Sequence, residues 1–144
     1  QGPGITKEDV ILATDKIVPC FEIVDSRIDD WKIKIQDTIA DNASCGIFVL
    51  GEGSSSPEKF PMDELEVVVH KNGEFLSSGL GSAVQGHPAE AVAWLANTLG
   101  EYDIPLLKGE FILSGSLVPL EPAIAGDSFS LELKGVGTCE INFI

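Results

Sequence analysis

Residues Ile17 to Leu50 read IVPCFEIVDSRIDDWKIKIQDTIADNASCGIFVL, two apolar runs on either side of a charged, turn-rich middle. The first run, Ile17 to Val24, is β-branched and apolar at consecutive positions, the pattern of a strand covered on both faces. Glu22 lies inside it. A bare carboxylate in such a strand is costly, so Glu22 is expected to be paired, protonated or bound to a cation. Asp25-Ser26-Arg27 ends the run, and Arg27 is the only arginine in the chain. The polar tract Asp41-Asn42-Ala43-Ser44 is set against the second apolar run, Ile47 to Leu50. Short polar side chains at the mouth of a buried strand are where sites tend to be built.

Outward from this stretch, local signals are read in both directions. Thr6-Lys7-Glu8-Asp9 has the form of a capping box with Asp in the third helical position, and predicts a helix from about Lys7 to Asp15. Trp31, Ile33 and Ile35 alternate like a strand, while Trp31, Ile35 and Ile39 suit a helix; an irregular segment ending in a short helix near Ala40 reconciles the two. Gly51 to Pro61 is a loop by composition. Leu65 to Lys71 and Phe75 to Ser78 are strands joined by an Asn72-Gly73 hairpin. Pro88 opens a helix to Leu99 with Gly100 as its stop; Ala91, Val92, Leu95 and Leu99 form its expected core face, widened by Trp94. Phe111 to Leu113, Leu117 to Leu120, Ser128 to Leu133 and Thr138 to Ile144 complete a set of short strands. Many short strands with two or three short helices predict a β-rich α+β fold, a mixed β roll or partly open barrel.

The chain has 144 residues, one domain's worth, with 23 acidic against 9 basic side chains and a formal charge of −14. That balance disfavours nucleic acid and anionic membranes as partners. Cys20, Cys45 and Cys139 are odd in number and form no CxxC; they read as small buried hydrophobes of a reducing compartment, and a cytoplasmic protein is expected. The first residue is Gln, so a longer native chain is expected upstream.

Carboxylate oxygens suit Mg²⁺ or Mn²⁺, which makes Glu22 the candidate metal ligand. The spacing alone slightly favours an ion pair with Arg27 or a lysine. Ser44 lies in a tract able to hydrogen-bond a carboxylate or keto oxygen, although a capped turn explains the tract as well. Ser114-Gly115-Ser116 offers backbone and hydroxyl donors to an anion, and ordinary turn chemistry fits it equally. No HExxH, Walker loop, dinucleotide fingerprint or nucleophile elbow is present, which counts against zinc proteases, nucleotide phosphatases, dehydrogenases and α/β-hydrolases.

Four segments together resemble one family: GPGIT-x-x-DV at Gly2 to Val10, PCFEIVDSRI-x-DWKIKIQDT-x-ADNASCG at Pro19 to Gly46, GHP-x-x-AVAWLANTLG at Gly86 to Gly100, and ILSGSLVPLEP-x-x-AGD at Ile112 to Asp127. The family is that of the 2-keto-4-pentenoate (2-hydroxypenta-2,4-dienoate) hydratases, within the fumarylacetoacetate hydrolase superfamily. The resemblance covers essentially the whole chain and implies the C-terminal catalytic portion, residues 1–144, of a metal-dependent hydro-lyase of aromatic meta-cleavage catabolism. Such an enzyme adds water to 2-hydroxypenta-2,4-dienoate to give 4-hydroxy-2-oxopentanoate. It also implies Mg²⁺ or Mn²⁺ held by three glutamates. Only one of them, the Glu of P-x-x-E-[IV]-[IV]-D-S-R, has a match here, Glu22; a Glu-x-Glu pair and a pocket lysine are expected upstream of Gln1. Ser44 matches the serine of the family's D-N-A-S motif, near the substrate, and is the implied catalytic and substrate-binding residue, with Ser116 a second substrate contact. The chain alone is expected to be inactive. The implied partners are a small 2-keto or 2-hydroxy acid, further copies of the protein, and a sister 2-oxo-3-hexenedioate (4-oxalocrotonate) decarboxylase, which is also the alternative activity. A non-catalytic β-rich subunit is the reading from a different class.

Overall fold

The computed structural model describes all 144 residues. Alternation of apolar and polar side chains builds its main sheet. In β4 (Glu66–Lys71) Val67 and Val69 are buried, and in β6 (Ser128–Leu133) Phe129 and Leu131 are, while their neighbours face outward. Beside them run β5 (Glu74–Leu80), β7 (Gly137–Asn142) and the short β3 (Glu52–Gly53), in the order β3-β7-β6-β4-β5, antiparallel throughout. Register brings Val69 opposite Leu131 and Leu131 opposite Cys139. These three and Val67 form the core cluster, with Phe21, Val49, Leu76, Leu117, Val118 and Leu133 packed around it. The β4–β5 turn places both Asn72 and Gly73 at positive φ, the conformation an Asn-Gly hairpin requires.

A second, two-stranded sheet pairs β1 (Cys20–Val24) with β2 (Cys45–Leu50), with a bulge between Ile23 and Val24. Phe21 sets its ring edge-on to Phe129, 6.4 Å away, and the Cys139 thiol donates to the Val49 carbonyl, so one face of this ribbon rests on the main sheet. On the other side of the molecule α1 (Lys7–Ala13) packs against α3 (Pro88–Gly100). Thr6 caps α1 in the expected box, its hydroxyl accepting from Asp9 N–H while the Asp9 carboxylate accepts from Thr6 N–H. His87 caps α3 through Nδ1, which accepts from Ala89 N–H. A short helix α2 (Ile35–Ala40) stands in the β1–β2 connection.

Several expectations are corrected. The strand from Ile17 shrinks to Cys20–Val24, with Ile17 making only an isolated bridge to Ser55. It is not covered on both faces: β1 has one partner strand, its residues are half-buried, and Glu22 is exposed. The face of α3 that is fully buried is Ala89, Ala93, Ala96 and Gly100, whereas Ala91, Val92, Leu95 and Leu99 are half-buried and Trp94 is exposed. The lead-in at Gly2 lies directly on Ala96, Asn97 and Gly100, and that close backbone approach selects the smallest side chains. Gly100 is accordingly the last helical residue rather than the stop beyond it. Residues 111–113 and 117–120, expected as strands, are irregular, as is the whole run from 104 to 127. Pro105, Pro119 and Pro122 lack the N–H a ladder needs. Cys20 and Cys45 are half-buried; only Cys139 is buried, and all three are free thiols.

Both sheets stay open. The accessible surface is 9300 Å², against about 7,100 Å² for a typical folded monomer of 15.3 kDa. Nineteen large hydrophobic side chains are exposed, among them Leu12, Ile39, Ile47 and Leu120, and one large hollow opens between the elements. No helix is long and apolar enough to cross a membrane.

Candidate functional site

The hollow is a cavity of about 1720 Å³ bounded by α1, α3, β1, the inner face of β4 and β6, and residues 106–123. Its wall is mainly hydrophobic, and it exceeds the roughly 300–1,000 Å³ of ordinary ligand pockets. Glu22 and Asp25 bring carboxylates to the β1 side, and Ser114 and Ser116 bring hydroxyls to the facing loop.

Glu22 is opposite Phe48 in the β1–β2 register. The bulge at Ile23/Val24 brings Cys45 into line with Val24, on the side that Glu22 occupies. Burial, then the charge of and a hydrogen bond to the Glu22 carboxylate, push the Cys45 thiol up, with Arg27 pulling the other way. Burial and the nearby Cys139, Glu22 and Cys45 likewise push up the Cys20 thiol. Gly46 makes this tight turn feasible: a Cβ there would lie 2.9 Å from the Ile23 carbonyl oxygen and 3.0 Å from Asp25 Cβ. The ion pair with Arg27 that the spacing favoured does not form; Arg27 Nη1 lies 3.0 Å from Asp41 Oδ1 instead. Glu22 is thus an oxygen donor on a cavity wall with no cation beside it, which suits one leg of a hard-cation shell. No three His, Cys, Asp or Glu side chains in the chain converge in metal-binding geometry, so these residues fit one ligand of such a site and not a whole cage.

Ser44 occupies a different kind of position. It is 2% exposed, its Oγ has no hydrogen-bond partner, and it does not line the cavity. Asn42, Ala43 and Ser44 are consecutively left-handed, with φ of 50°, 58° and 58°. For residues with a Cβ this costs on the order of 1 kcal/mol or more each. Hydrogen bonds hold the turn: Ser44 N–H donates to Asp41 O, and Asp25 N–H donates to Ser44 O at 2.8 Å. Burial alone would raise the Asp41 carboxyl. Hydrogen bonds from the Arg27 backbone and guanidinium, with the guanidinium charge and the nearby Ser44 hydroxyl, outweigh that and hold it below the ordinary carboxylate value.

Ser116 lines the cavity, but its hydroxyl donates to Val118 O at 2.6 Å, which leaves the backbone of the Ser114–Ser116 turn as the free donor. The structure therefore brings Glu22 and Ser116 to one cavity and sets Ser44 behind the Glu22 strand. Sequence reading missed Cys45 as a neighbour of Glu22 and Asp41 as the partner of Arg27. The first depends on a one-residue bulge; the second was in view as a lone arginine with several nearby acids to choose from.

Residues 5–144 match the fumarylacetoacetate (FAA) hydrolase C-terminal family. The chain is 63% identical over 143 residues to a 2-hydroxyhexa-2,4-dienoate hydratase of Comamonas testosteroni, taking in 99% of this chain and 54% of the relative. It is 44% identical over 138 residues to a 2-keto-4-pentenoate hydratase of Paraburkholderia xenovorans, covering 96% of this chain and 51% of that one. The solved structure of 4-oxalocrotonate decarboxylase from Pseudomonas putida G7, complexed with magnesium and adipate, superposes with a TM-score of 0.94 at 38% identity, over 99% of this chain and 54% of that chain. The chain spans about half the length of the curated relatives it matches. On that agreement of sequence, topology and an open two-sheet fold, the chain belongs to the fumarylacetoacetate (FAA) hydrolase C-terminal family.

Proposed function

We propose that this chain forms the C-terminal part of a divalent-metal-dependent hydro-lyase that adds water to 2-hydroxypenta-2,4-dienoate, giving 4-hydroxy-2-oxopentanoate in aromatic meta-cleavage catabolism. The observation that carries the proposal is the Glu22 carboxylate on the wall of a large apolar cavity, with the one arginine in the chain engaged elsewhere. The 63% identity to a dienoate hydratase against 38% to a decarboxylase of solved structure favours hydration over decarboxylation.

In this reading Glu22 supplies one ligand to Mg²⁺ or Mn²⁺, and the further ligands come from polypeptide outside the 144 residues. When bound, such a cation neutralises the substrate's carboxylate and draws electrons toward its C2 oxygen. The residues of this chain then orient and exclude. The apolar wall keeps bulk water from the diene. Ser44 Oγ, buried beside the Glu22 strand, is the donor this reading assigns to a substrate oxygen. The Ser114–Ser116 backbone, beside the Ser116 hydroxyl already held by Val118, receives an anionic end of the substrate. The dienol ketonises, and water adds to the far carbon of the resulting unsaturated ketone. Homo-oligomerisation, association with a sister decarboxylase and a cytoplasmic location belong to the same proposal.

The test is to follow dienoate absorbance and product formation by the complete gene product with Mg²⁺, Mn²⁺ or EDTA, beside CO₂ release from 2-oxo-3-hexenedioate. Metal-dependent hydration supports the reading. Faster CO₂ release assigns the sister reaction, and neither activity leaves the non-catalytic subunit.

A further inference from the structure

Three successive left-handed residues, two of them Ala and Ser, are not a conformation their own sequence selects. Something outside the turn must over-determine it. The only side-chain ties across to residues 41–44 come from Arg27. Its backbone N–H donates to Asp41 Oδ2 at 3.2 Å, its Nη1 lies 3.0 Å from Asp41 Oδ1, and the same Nη1 reaches Asp41 O at 3.5 Å. The Asp41 side chain is 10% exposed and that of Arg27 56%, so the carboxylate is the sheltered half of a pair whose charged hydrogen bonds fix its geometry. At the other end of the turn Asp25 N–H donates to Ser44 O. Residues 25–27 are the direct continuation of the strand that carries Glu22.

We propose that Arg27 and Asp41 form a positioning clamp that locks the left-handed Asn42-Ala43-Ser44 turn to the Glu22 strand, so that the buried Ser44 hydroxyl and the Glu22 carboxylate move as one unit. The link to catalysis rests on the hydratase reading above; the clamp itself rests only on the contacts just described. Neither residue touches the proposed substrate, and each acts through Ser44 and Glu22. Release of the pair frees the turn to relax to ordinary backbone angles, which carries Ser44 Oγ away from the strand. The clamp also explains why the arginine is free of Glu22: pairing there would cancel the charge needed for a cation and leave the turn unheld.

The test uses Asp41→Asn, Arg27→Ala and Arg27→Lys in the complete gene product, with two readouts. Backbone amide exchange at Asp25 and Ser44 is expected to speed up about tenfold or more in Asp41→Asn and Arg27→Ala, with Val67 and Val69 in β4 unchanged. Turnover on 2-hydroxypenta-2,4-dienoate with Mg²⁺ is expected to fall about tenfold in kcat with KM within about twofold, and Arg27→Lys is expected to recover part of both effects. Unchanged exchange at Asp25 and Ser44 in both Asp41→Asn and Arg27→Ala overturns the clamp, whatever the activity. If Asp41→Asn loosens β4 as well, Arg27→Ala decides: acceleration confined to Asp25 and Ser44 supports the clamp, and none overturns it. A wild-type protein without hydratase activity sinks the functional reading, while the exchange data still judge the clamp.

Discussion

The main sheet and the β1–β2 ribbon are both antiparallel and both apolar, yet they are built to different ends. In the sheet, Val67, Val69, Leu131 and Cys139 bury one another and β6 keeps an unbroken register with both β4 and β7, the one shift lying at Val69/His70 in the β4–β5 pair. In the ribbon, Ile47 is 62% exposed, Glu22 faces a cavity and three residues in the connecting turn hold an unfavourable backbone conformation. The sheet's inward side chains pack and its polar ones pair locally, as Lys134 does with Glu66, whereas in the ribbon Glu22 has no ion-pair partner. Local inconsistency concentrated in one region, against consistency elsewhere, is how functional sites usually stand out from scaffold.

The sharpest way to break this contrast is to exchange the consequences of mutation between the two regions. Leu131→Ala in the sheet is expected to lower stability by about 3 kcal/mol through the cavity it leaves, seen as a lower denaturant midpoint, with turnover per folded molecule kept. Glu22→Gln in the ribbon is expected to do the reverse. It should lower metal-dependent turnover about 100-fold or more, a loss of about 2.7 kcal/mol in transition-state stabilisation, and leave the denaturant midpoint nearly unmoved because the side chain is exposed. If Glu22→Gln destabilises the fold as strongly as Leu131→Ala, the ribbon is scaffold and the site lies elsewhere.

What was legible in the sequence follows the same division. The capping box at Thr6, the Asn72-Gly73 turn and the helix opened by His87-Pro88 are local devices, set by residues within one turn of one another, and each is found where it was expected. The ribbon was misread because consecutive apolar residues mark a central strand and a strand on a cavity wall alike. The missing information was which elements stand opposite. The helix face shifted from leucines to alanines because the contact is with the backbone at Gly2, far away in sequence. A turn at Asp41 to Ser44 was legible, but its left-handed backbone was not, for a stricter reason. Ala and Ser have no left-handed preference to announce it, and its hold on the chain comes from Arg27, 14 residues before Asp41.

A third test sharpens the contrast by relieving strain. Ala43→Gly places the residue tolerant of positive φ at a φ of 58°. It is expected to leave stability unchanged or raise it by up to about 1 kcal/mol, the relief of native strain being offset by the freer unfolded chain. Turnover is expected to fall modestly as the turn loosens. A buried main-sheet residue changed to Gly, such as Val69→Gly, is expected to lose stability and keep turnover per folded molecule, so the sign of the effect separates the regions.

The smallest effect is electrostatic and belongs to the sheet. Asp127 accepts from Asn72 Nδ2 at 2.9 Å and from Ile124 N–H, and lies 3.2 Å from Lys71 Nζ. The side-chain bond from Asn72 first, then the Ile124 N–H, hold its carboxyl below the ordinary value of 3.8 against the opposing pull of burial, with Lys71 adding to them. A carboxyl lowered on folding stabilises the protein once pH is above its unfolded value, and that contribution drains away as pH falls through the lower folded value. Asp127→Asn is therefore expected to cost stability at neutral pH and to flatten the acid limb of a stability–pH curve below about pH 4, where wild type loses the same contribution. Asp41, lowered by Arg27, titrates over the same range in the ribbon. If the two regions differ as argued, acid loosens amide exchange at Asp25 and Ser44 before it loosens β4, and Asp127→Asn leaves that order intact. Simultaneous loosening of both regions would instead make the ribbon and the sheet one cooperative unit.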